Sequence, residues 1–466
     1  MNTHFPRKFN LFQDVLQLRF VITLIVVTIL FVCSWGVTHT FAAPGVLYVD
    51  DTTGIDTGNC QTPATPCKSI SYAITQAVAT DVIQVAQGTY MENLVINKTI
   101  EIMGGFEAAG WTRNIALYVT TLDGNSSGTV VDFQAGSDNA ILDGFTVTKG
   151  SALVGGMGGG ITMNDVSPTI KHTTVTNNQT TVDGGGIYIS GGAPSLEELL
   201  IDGNSSVGCC GGVHIGNGAQ VNITGTTLSN NSASYGGGIG VFSDSTLTIT
   251  GSTFQANDTD VDGGQGGGMH VSGSGTTVNL TDTILADNLT RDHGAAISTD
   301  GGTTNLTNAL IYGNQSTSLN ANVFAIGSAA FNVMNSTIAD NQPGGAQAVI
   351  LFTGGSLTMT NSIMYNNALS LQADPACPSC FTITYTNIQG GWPGTGNIDK
   401  DPTFVDSNNH DYHLKALSPS WNTGTPSGAP SADLEGTPRD ALPDMGAYEW
   451  VGEVIYLPLE LNNFGP

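Results

Sequence analysis

Positive charge is scarce in this sequence: 12 Lys and Arg stand against 38 Asp and Glu in 466 residues, for a formal net charge of −26. A chain with so few cations has no basic stripe for a phosphate backbone or an anionic bilayer. Nucleic acid and anionic membrane are therefore excluded as partners, and solubility or cation binding is favoured. Charge of either sign makes up only 11% of the chain, while 61 residues are Gly. With many Thr, Asn and Ser, that balance reads as a β solenoid, not as a disordered tail. Helical spacing is confined to one short segment, so no helical domain is expected. Phosphate-loop, zincin and dinucleotide-binding patterns are missing. Gly124-Asn125-Ser126-Ser127-Gly128 satisfies the serine-hydrolase elbow pattern, but Thr129-Val130-Val131 follow where a helix is required, so it reads as a turn.

Long apolar runs are also lacking, with one exception. Arg7, Lys8 and Arg19 precede an apolar stretch from Phe20 to Val37, and small residues follow at Ala42 and Ala43. This reads as a secretory signal over residues 1–42, cut near Ala42; the competing reading is an uncleaved anchor, because the run is almost long enough to span a bilayer. Cys33 follows Phe31-Val32, so it makes no lipoprotein box. Without residues 1–42 the chain keeps 9 basic and 37 acidic residues, a net charge of −28. A secreted or cell-surface monomer is expected, with membrane contact only through export or anchoring. Outside the leader, Cys60/Cys67, Cys209/Cys210 and Cys377/Cys380 are close in sequence and read as local disulfide staples. A zinc site built on Cys377-Pro-Ser-Cys380 would need a second C-x-x-C, and there is none.

What the sequence does contain is a beat. An aliphatic or aromatic residue with Asn three positions later recurs as Val175/Asn178, Ile201/Asn204, Leu228/Asn231, Phe254/Asn257, Leu285/Asn288, Ile311/Asn314, Ile338/Asn341 and Met364/Asn367, at intervals of 26, 27, 26, 31, 26, 27 and 26 residues. Glycine runs closed by an aliphatic residue keep the same period: Gly158-Gly159-Gly160-Ile161, Gly184 to Ile187, Gly211-Gly212-Val213, Gly236 to Ile239 and Gly266 to Met269, then the degraded Gly294-Ala295-Ala296-Ile297. Between these marks, pairs such as Val221/Ile223, Leu247/Ile249 and Val278/Leu280 alternate at period two. Each period therefore holds three short strands that cannot bury an apolar face alone and must stack on copies of themselves. The fold class is all-β: a right-handed parallel β-helix of three strands per turn. At about 4.8 Å per turn its length is on the order of 50 Å. Asn is expected to bond along the stack, and Gly to make the tight corners.

Three further segments flank the beat. Residues 43–110 form an amino-terminal cap, in which Ser69 to Ala79 has helical spacing, as expected of a lid over the first turn. The repeats occupy 111–390. A Pro-, Gly- and Asp-rich closing module over 391–450 is expected to fold over the last turn, and 451–466 is a short apolar tail.

Several of these segments resemble known families. Tyr48-Val49-Asp50, Ser69 to Ile74, Asp81 to Tyr90 and Ile100 to Phe106 are similar to the amino-terminal cap of the pectate-lyase-like β-helix superfamily. The GGGI and Phe254-x-x-Asn257 marks resemble the GGAI and FxxN repeats of polymorphic outer-membrane adhesins. Asn397 to Val405, Leu417 to Ser420 and Asp444 to Glu449 resemble the choice-of-anchor closing module of exported bacterial β-helix proteins. The resemblance implies fold and export. It also implies, through the lyase branch, chemistry in which calcium bridges a uronate and a basic side chain removes the proton α to its carboxylate.

The 31-residue interval is the place where such chemistry is expected. Asp258-Thr259-Asp260-Val261-Asp262-Gly263 alternates carboxylates before a glycine, a spacing that suits Ca²⁺, although Met269 stands where a helix–loop–helix calcium loop has Glu. Asp262 and His293 each lie eight residues past their aliphatic mark and are expected to stack, with Arg291 beside them as the basic residue. His214 and His270 follow the first apolar residue of their strands and read as outward-facing surface histidines, not a metal pair. Paired aspartates with a Gly-His-Gly segment, the polygalacturonase pattern, are absent. The sequence therefore favours a binding or structural role in adhesion or polysaccharide contact. The alternative is a calcium-assisted lyase, or a hydrolase, acting on acidic polysaccharide.

Overall fold

The computed structural model describes residues 44–152, 156–259, 263–319, 322–345, 347–368, 371 and 377–452. The leader over 1–42 and the tail beyond Gly452 lie outside the described residues, as do Asp260 and Asp262.

Each turn of the coil lays down three strands. In the turn at residues 187–202 they are Ile187–Ser190, Ser195–Glu197 and Leu200–Asp202. Equivalent strands of successive turns pair in parallel, giving face 1 with ten strands, face 2 with thirteen and face 3 with twelve among the described residues. The glycine corner opens face 1, the alternating strand forms face 2, and the aliphatic-x-x-Asn mark forms face 3. On face 3 the register runs Val175, Ile201, Leu228, Phe254, Leu285, Ile311, Ile338, Met364, one residue per turn. All eight are buried. Burying each contributes about 1.5–3 kcal/mol, so the stack of turns supplies the core that no single turn has.

The asparagines form a continuous ladder through the interior. Asn204 Nδ2 donates to Asn231 Oδ1 at 3.0 Å and to the Val175 carbonyl at 2.8 Å, while Asn231 Oδ1 also accepts from the Asn204 backbone N–H at 3.0 Å. The same side-chain bond links Asn178 to Asn204, then 231 to 257, 257 to 288, 288 to 314, 314 to 341 and 341 to 367. Each interior amide thus fills both donors and both acceptor positions, which lets a polar group stay buried without cost. The residue before each ladder Asn is left-handed, with φ between 53° and 65°: Asn177, Gly203, Asn230, Ala256, Asp287, Gly313, Asp340 and Asn366. Seven of these are Gly, Asn or Asp, the residues that tolerate this conformation.

At the start of the coil, helix α1 (Ile70–Gln76) buries Ile70, Ala73 and Ile74 on the first strands. It is shorter than the segment expected from spacing, because Ala77 is already extended. Ser69 caps it by accepting from the Tyr72 N–H, and Glu92 accepts from the Ile70 and Ser71 N–H groups at 2.9 and 2.8 Å. Lys98 Nζ donates to the carbonyls of Ile74 and Ala77 at the other end, 2.7 and 2.8 Å away. Opposite charges thus sit at the two poles of the helix dipole.

The closing module departs from expectation. Residues 387–400 do lie at the end of the coil, with Trp392 packed on Phe381. From Phe404 onward, however, the chain turns back and packs along face 3. Phe404, Tyr412, Leu414, Met445, Ala447 and Tyr448 bury against Leu310, Ala339 and Ile363 of three separate turns. The reason lies in the outward positions of face 3. Early turns present Thr174/Thr176 and Thr227/Ser229 there, but late turns present Leu310/Tyr312 and Ile363/Tyr365, which need a cover. Polar seams fix the contact. Tyr412 Oη donates to Asp340 Oδ2 at 2.9 Å, and Arg439 donates to Asn308 Oδ1 at 3.1 Å and ion-pairs with Glu449 at 3.0 Å in a buried position.

Candidate functional site on face 1

Of the residues singled out at the 31-residue turn, Asp258, Arg291 and His293 are among those described. Asp258 is half-buried and pairs with Leu289 in a short ladder, and the Arg291 N–H donates to the Thr259 carbonyl at 3.4 Å while its side chain is exposed. Asp258 and Arg291 therefore do lie on neighbouring turns. His293, though, pairs with Gln265, and its Nε2 lies 3.3 Å from Asp292 Oδ1. The glycine corner sets its neighbour, so counting from the asparagine misleads. Between the bridges, Ser232 to Tyr235 is a step of three residues and their partners Asp258 to Gln265 a step of seven, so four extra residues fall at this corner. The fifth lies further on, where Met269 to Thr277 spans eight residues against seven from Ile239 to Thr246. Of the three carboxylates expected to hold Ca²⁺, Asp258 alone is among the described residues.

A denser arrangement occupies face 1. Its outward column runs Thr162, Tyr188, His214, Gly240, His270, Ser298 in ladder register. Tyr188 stacks on His214 with centroids 4.7 Å apart and planes 15° from parallel, and Phe242 stacks on the other side of His214 at 5.2 Å and 21°. His270 continues the column 5.7 Å from Phe242, with Tyr235 at 5.6 Å on its flank. His214 and His270 are therefore members of an aromatic column, and His270 is buried, which corrects the reading of both as ordinary surface histidines. Burial pushes the His214 imidazole below its usual range against the pull of Asp183, and it pushes His270 down to about 4 against Asp300. Both rings are neutral at neutral pH.

Beside the column lie Cys209 and Cys210, bonded to each other, with Cys210 fully buried and its Sγ 3.6 Å from His214 Nδ1. The Cys60–Cys67 and Cys377–Cys380 pairs are bonded as expected. Cys210 stands at the corner position held by Gly158, Gly184, Gly236, Gly266 and Gly294 in other turns, and it keeps their left-handed backbone, with φ 70° against 61° to 77°. Room for the sulfurs comes from Gly240, where a Cβ would collide with both of them and with the Phe242 ring. Asp183 Oδ1 accepts from the Cys209 N–H at 2.9 Å. Together Asp183, Tyr188, Ser190, His214, Asn217, Phe242 and Ser243 line an open groove of about 390 Å³.

A second polar cluster ties a loop to the coil. Asp143, buried, pairs with Arg113 and His172 at 2.8 Å each and with Lys171 at 3.6 Å. Burial raises its pKa, but the hydrogen bonds from Arg113 and His172 outweigh that and hold the carboxyl below its usual range. Asp143, Lys171-His172 and Glu197-Glu198 fall at one corner of successive turns, a charge column the repeat could have revealed.

With the geometry established, a family model described as right handed beta helix region matches residues 114–285 and 156–322. The chain is a right-handed parallel β-helix protein. Among solved structures, this β-helix protein is similar to a pectate lyase, Pel9A, at 15% identity with a TM-score of 0.54, covering 88% of this chain and 98% of the other. XylC in complex with xylose follows at 9% identity and TM-score 0.46, covering 88% and 99%. The tailspike protein gp49 from Acinetobacter baumannii bacteriophage Fri1, a capsular polysaccharide depolymerase, follows at 13% and 0.36, covering 73% and 66%. At such identities the likeness concerns the fold. No curated protein sequence matches the chain.

Proposed function

We propose that this β-helix protein is a secreted or cell-surface binding protein that holds an extended polysaccharide against face 1, without acting on it chemically. The observation that carries this reading is the groove at Tyr188, His214 and Phe242. It sets apolar ring surface beside a carboxylate, an amide and two hydroxyls at Asp183, Asn217, Ser190 and Ser243. A saccharide presents the matching pair of surfaces, C–H patches for the rings and hydroxyls for the polar groups. Turns stacked at constant register give a long shallow surface suited to a polymer. That one solved neighbour of the same fold is a pectate lyase is in keeping with this class of ligand. The test is calorimetric titration of the mature chain with neutral and acidic polysaccharides. Tyr188→Ala and Phe242→Ala are expected each to weaken binding about tenfold, the loss of one buried aromatic contact. Unchanged affinity in both variants would overturn the assignment of the groove.

The second reading, a calcium-assisted lyase, is supported by Asp258 and Arg291 lying on neighbouring turns. In that reading Asp258, Asp260 and Asp262 would hold the ion, which would supply charge for a uronate, and Arg291 would be the base for the α-proton. Calcium-dependent ultraviolet absorbance of unsaturated products from polyuronate, lost in Arg291→Ala, would establish it in place of the binding role.

A further inference from the structure

Cys210 takes a left-handed corner that glycine takes in other turns. Five other turns put Gly at that left-handed corner, and here the sequence accepts a side chain where an L-residue is disfavoured. The next turn gives up its side chain at Gly240 to make room, and Gly216 leaves space against His214 Nε2. Three departures in neighbouring positions serve one outcome: two sulfurs and an imidazole nitrogen brought together, all within 4.8 Å of one another. A structural staple needs no imidazole. Among the described residues this is the only group of three or more such donors so placed. Thiolate sulfur selects soft ions such as Cu(I), and a neutral imidazole completes a three-coordinate set.

We propose that the reduced Cys209–Cys210 pair and His214 form a soft-metal site that takes one Cu(I) through two sulfurs and Nδ1, and that the sulfur–sulfur bond closes the site. Opening it requires a dithiol reductant. The reductant gives two electrons and two protons to the Cys209–Cys210 bond, which breaks to two thiols, and the reductant becomes a cyclic disulfide. On binding, the two thiols release their protons to solvent, and His214 shares the Nδ1 lone pair without a proton change. The site shares His214 with the saccharide groove but does not depend on that reading, since the titration contains no saccharide.

The experiment is anaerobic competition for Cu(I) against the coloured bicinchoninate complex, using the mature chain before and after treatment with a small dithiol. The other cysteine pairs are also opened by reduction, so the site is read as a difference between variants. The reduced wild-type chain is expected to hold one more equivalent than reduced Cys210→Gly or Cys209→Ser. His214→Phe is expected to weaken that equivalent by about 10–100-fold or more. Cys210→Gly restores the corner residue of the other turns and so keeps the fold, checked by its unfolding temperature; Cys209→Ser repeats the test without altering that corner. Equal Cu(I) uptake by the reduced wild type and both variants overturns the proposal. So does an extra equivalent held equally well by the unreduced wild-type chain, or affinity unchanged by His214→Phe.

Discussion

Ala256 breaks the pattern of its column. It holds a left-handed φ of 53° where the equivalent residues are Asn, Asp or Gly. Ala256→Asn is therefore expected to raise stability by about 0.5–1 kcal/mol, read as a higher midpoint in denaturant unfolding. Asn231→Ala should do the opposite. It strips partners from the Asn204 amide, the Asn204 N–H and the Ile201 carbonyl, and a cost on the order of 3 kcal/mol or more is expected from three buried groups left unpaired. The asparagine column was legible in the sequence because hydrogen bonding along the stack requires the same residue type in every turn. The Cys209, Cys210 and His214 grouping was not. It depends on a side chain missing from Gly240, a full turn away, and no spacing within one turn shows a gap in the next.

The column of face 1 has a pH dependence of definite sign. His270 titrates at about 4 when folded, below its usual 6.5, because burial disfavours the cation. The folded chain thus binds fewer protons than the unfolded one between those values, and stability present above pH 6.5 is lost as the pH falls toward 4, by up to about 3 kcal/mol. His270→Phe should flatten that slope in unfolding curves collected between pH 4 and 7. At the 31-residue turn the reading from sequence was partial. The insertion and its carboxylates were visible, but its register was counted from the asparagine, while the glycine corner decides that His293 meets Gln265. The helix was legible from its spacing. Its polar ends were not, since Glu92 and Lys98 come from beyond the segment.

The closing module responds to acid in the opposite direction from the column. Burial raises Asp444 from its usual 3.8 to about 7, and the hydrogen bonds His413 donates to Asp411 and Glu435 raise its imidazole against the effect of burial. Both groups hold protons more tightly when folded, so the stability they contribute is present in acid and lost as the pH rises through neutrality. Trp421 and Trp450, 5.0 Å apart within the module, report on it, and their fluorescence should show unfolding at lower denaturant at pH 8 than at pH 5.5. Tyr412→Phe removes the bond to Asp340 and should shift the same transition by about 1–2 kcal/mol. That the module, residues 391–450, leaves the repeat was legible from its Pro, Gly and Asp content. Its route along face 3 was written in Leu310, Ala339 and Ile363, but an apolar outward residue is recognisable only once the inward one of its strand is known.

The asparagine ladder carries one more implication, for how such a chain changes length over time. Every rung offers the next the same donor and the same acceptor, so a turn has no address: Asn204 meets Asn231 as it would meet Asn257. A tandem duplication or loss of one whole period leaves every surviving bond with a partner, whereas a shift of a few residues is absorbed only at a corner, as in the turn after Asn257. Length is therefore free to drift while both ends, and any ligand site confined to two or three turns, are inherited intact.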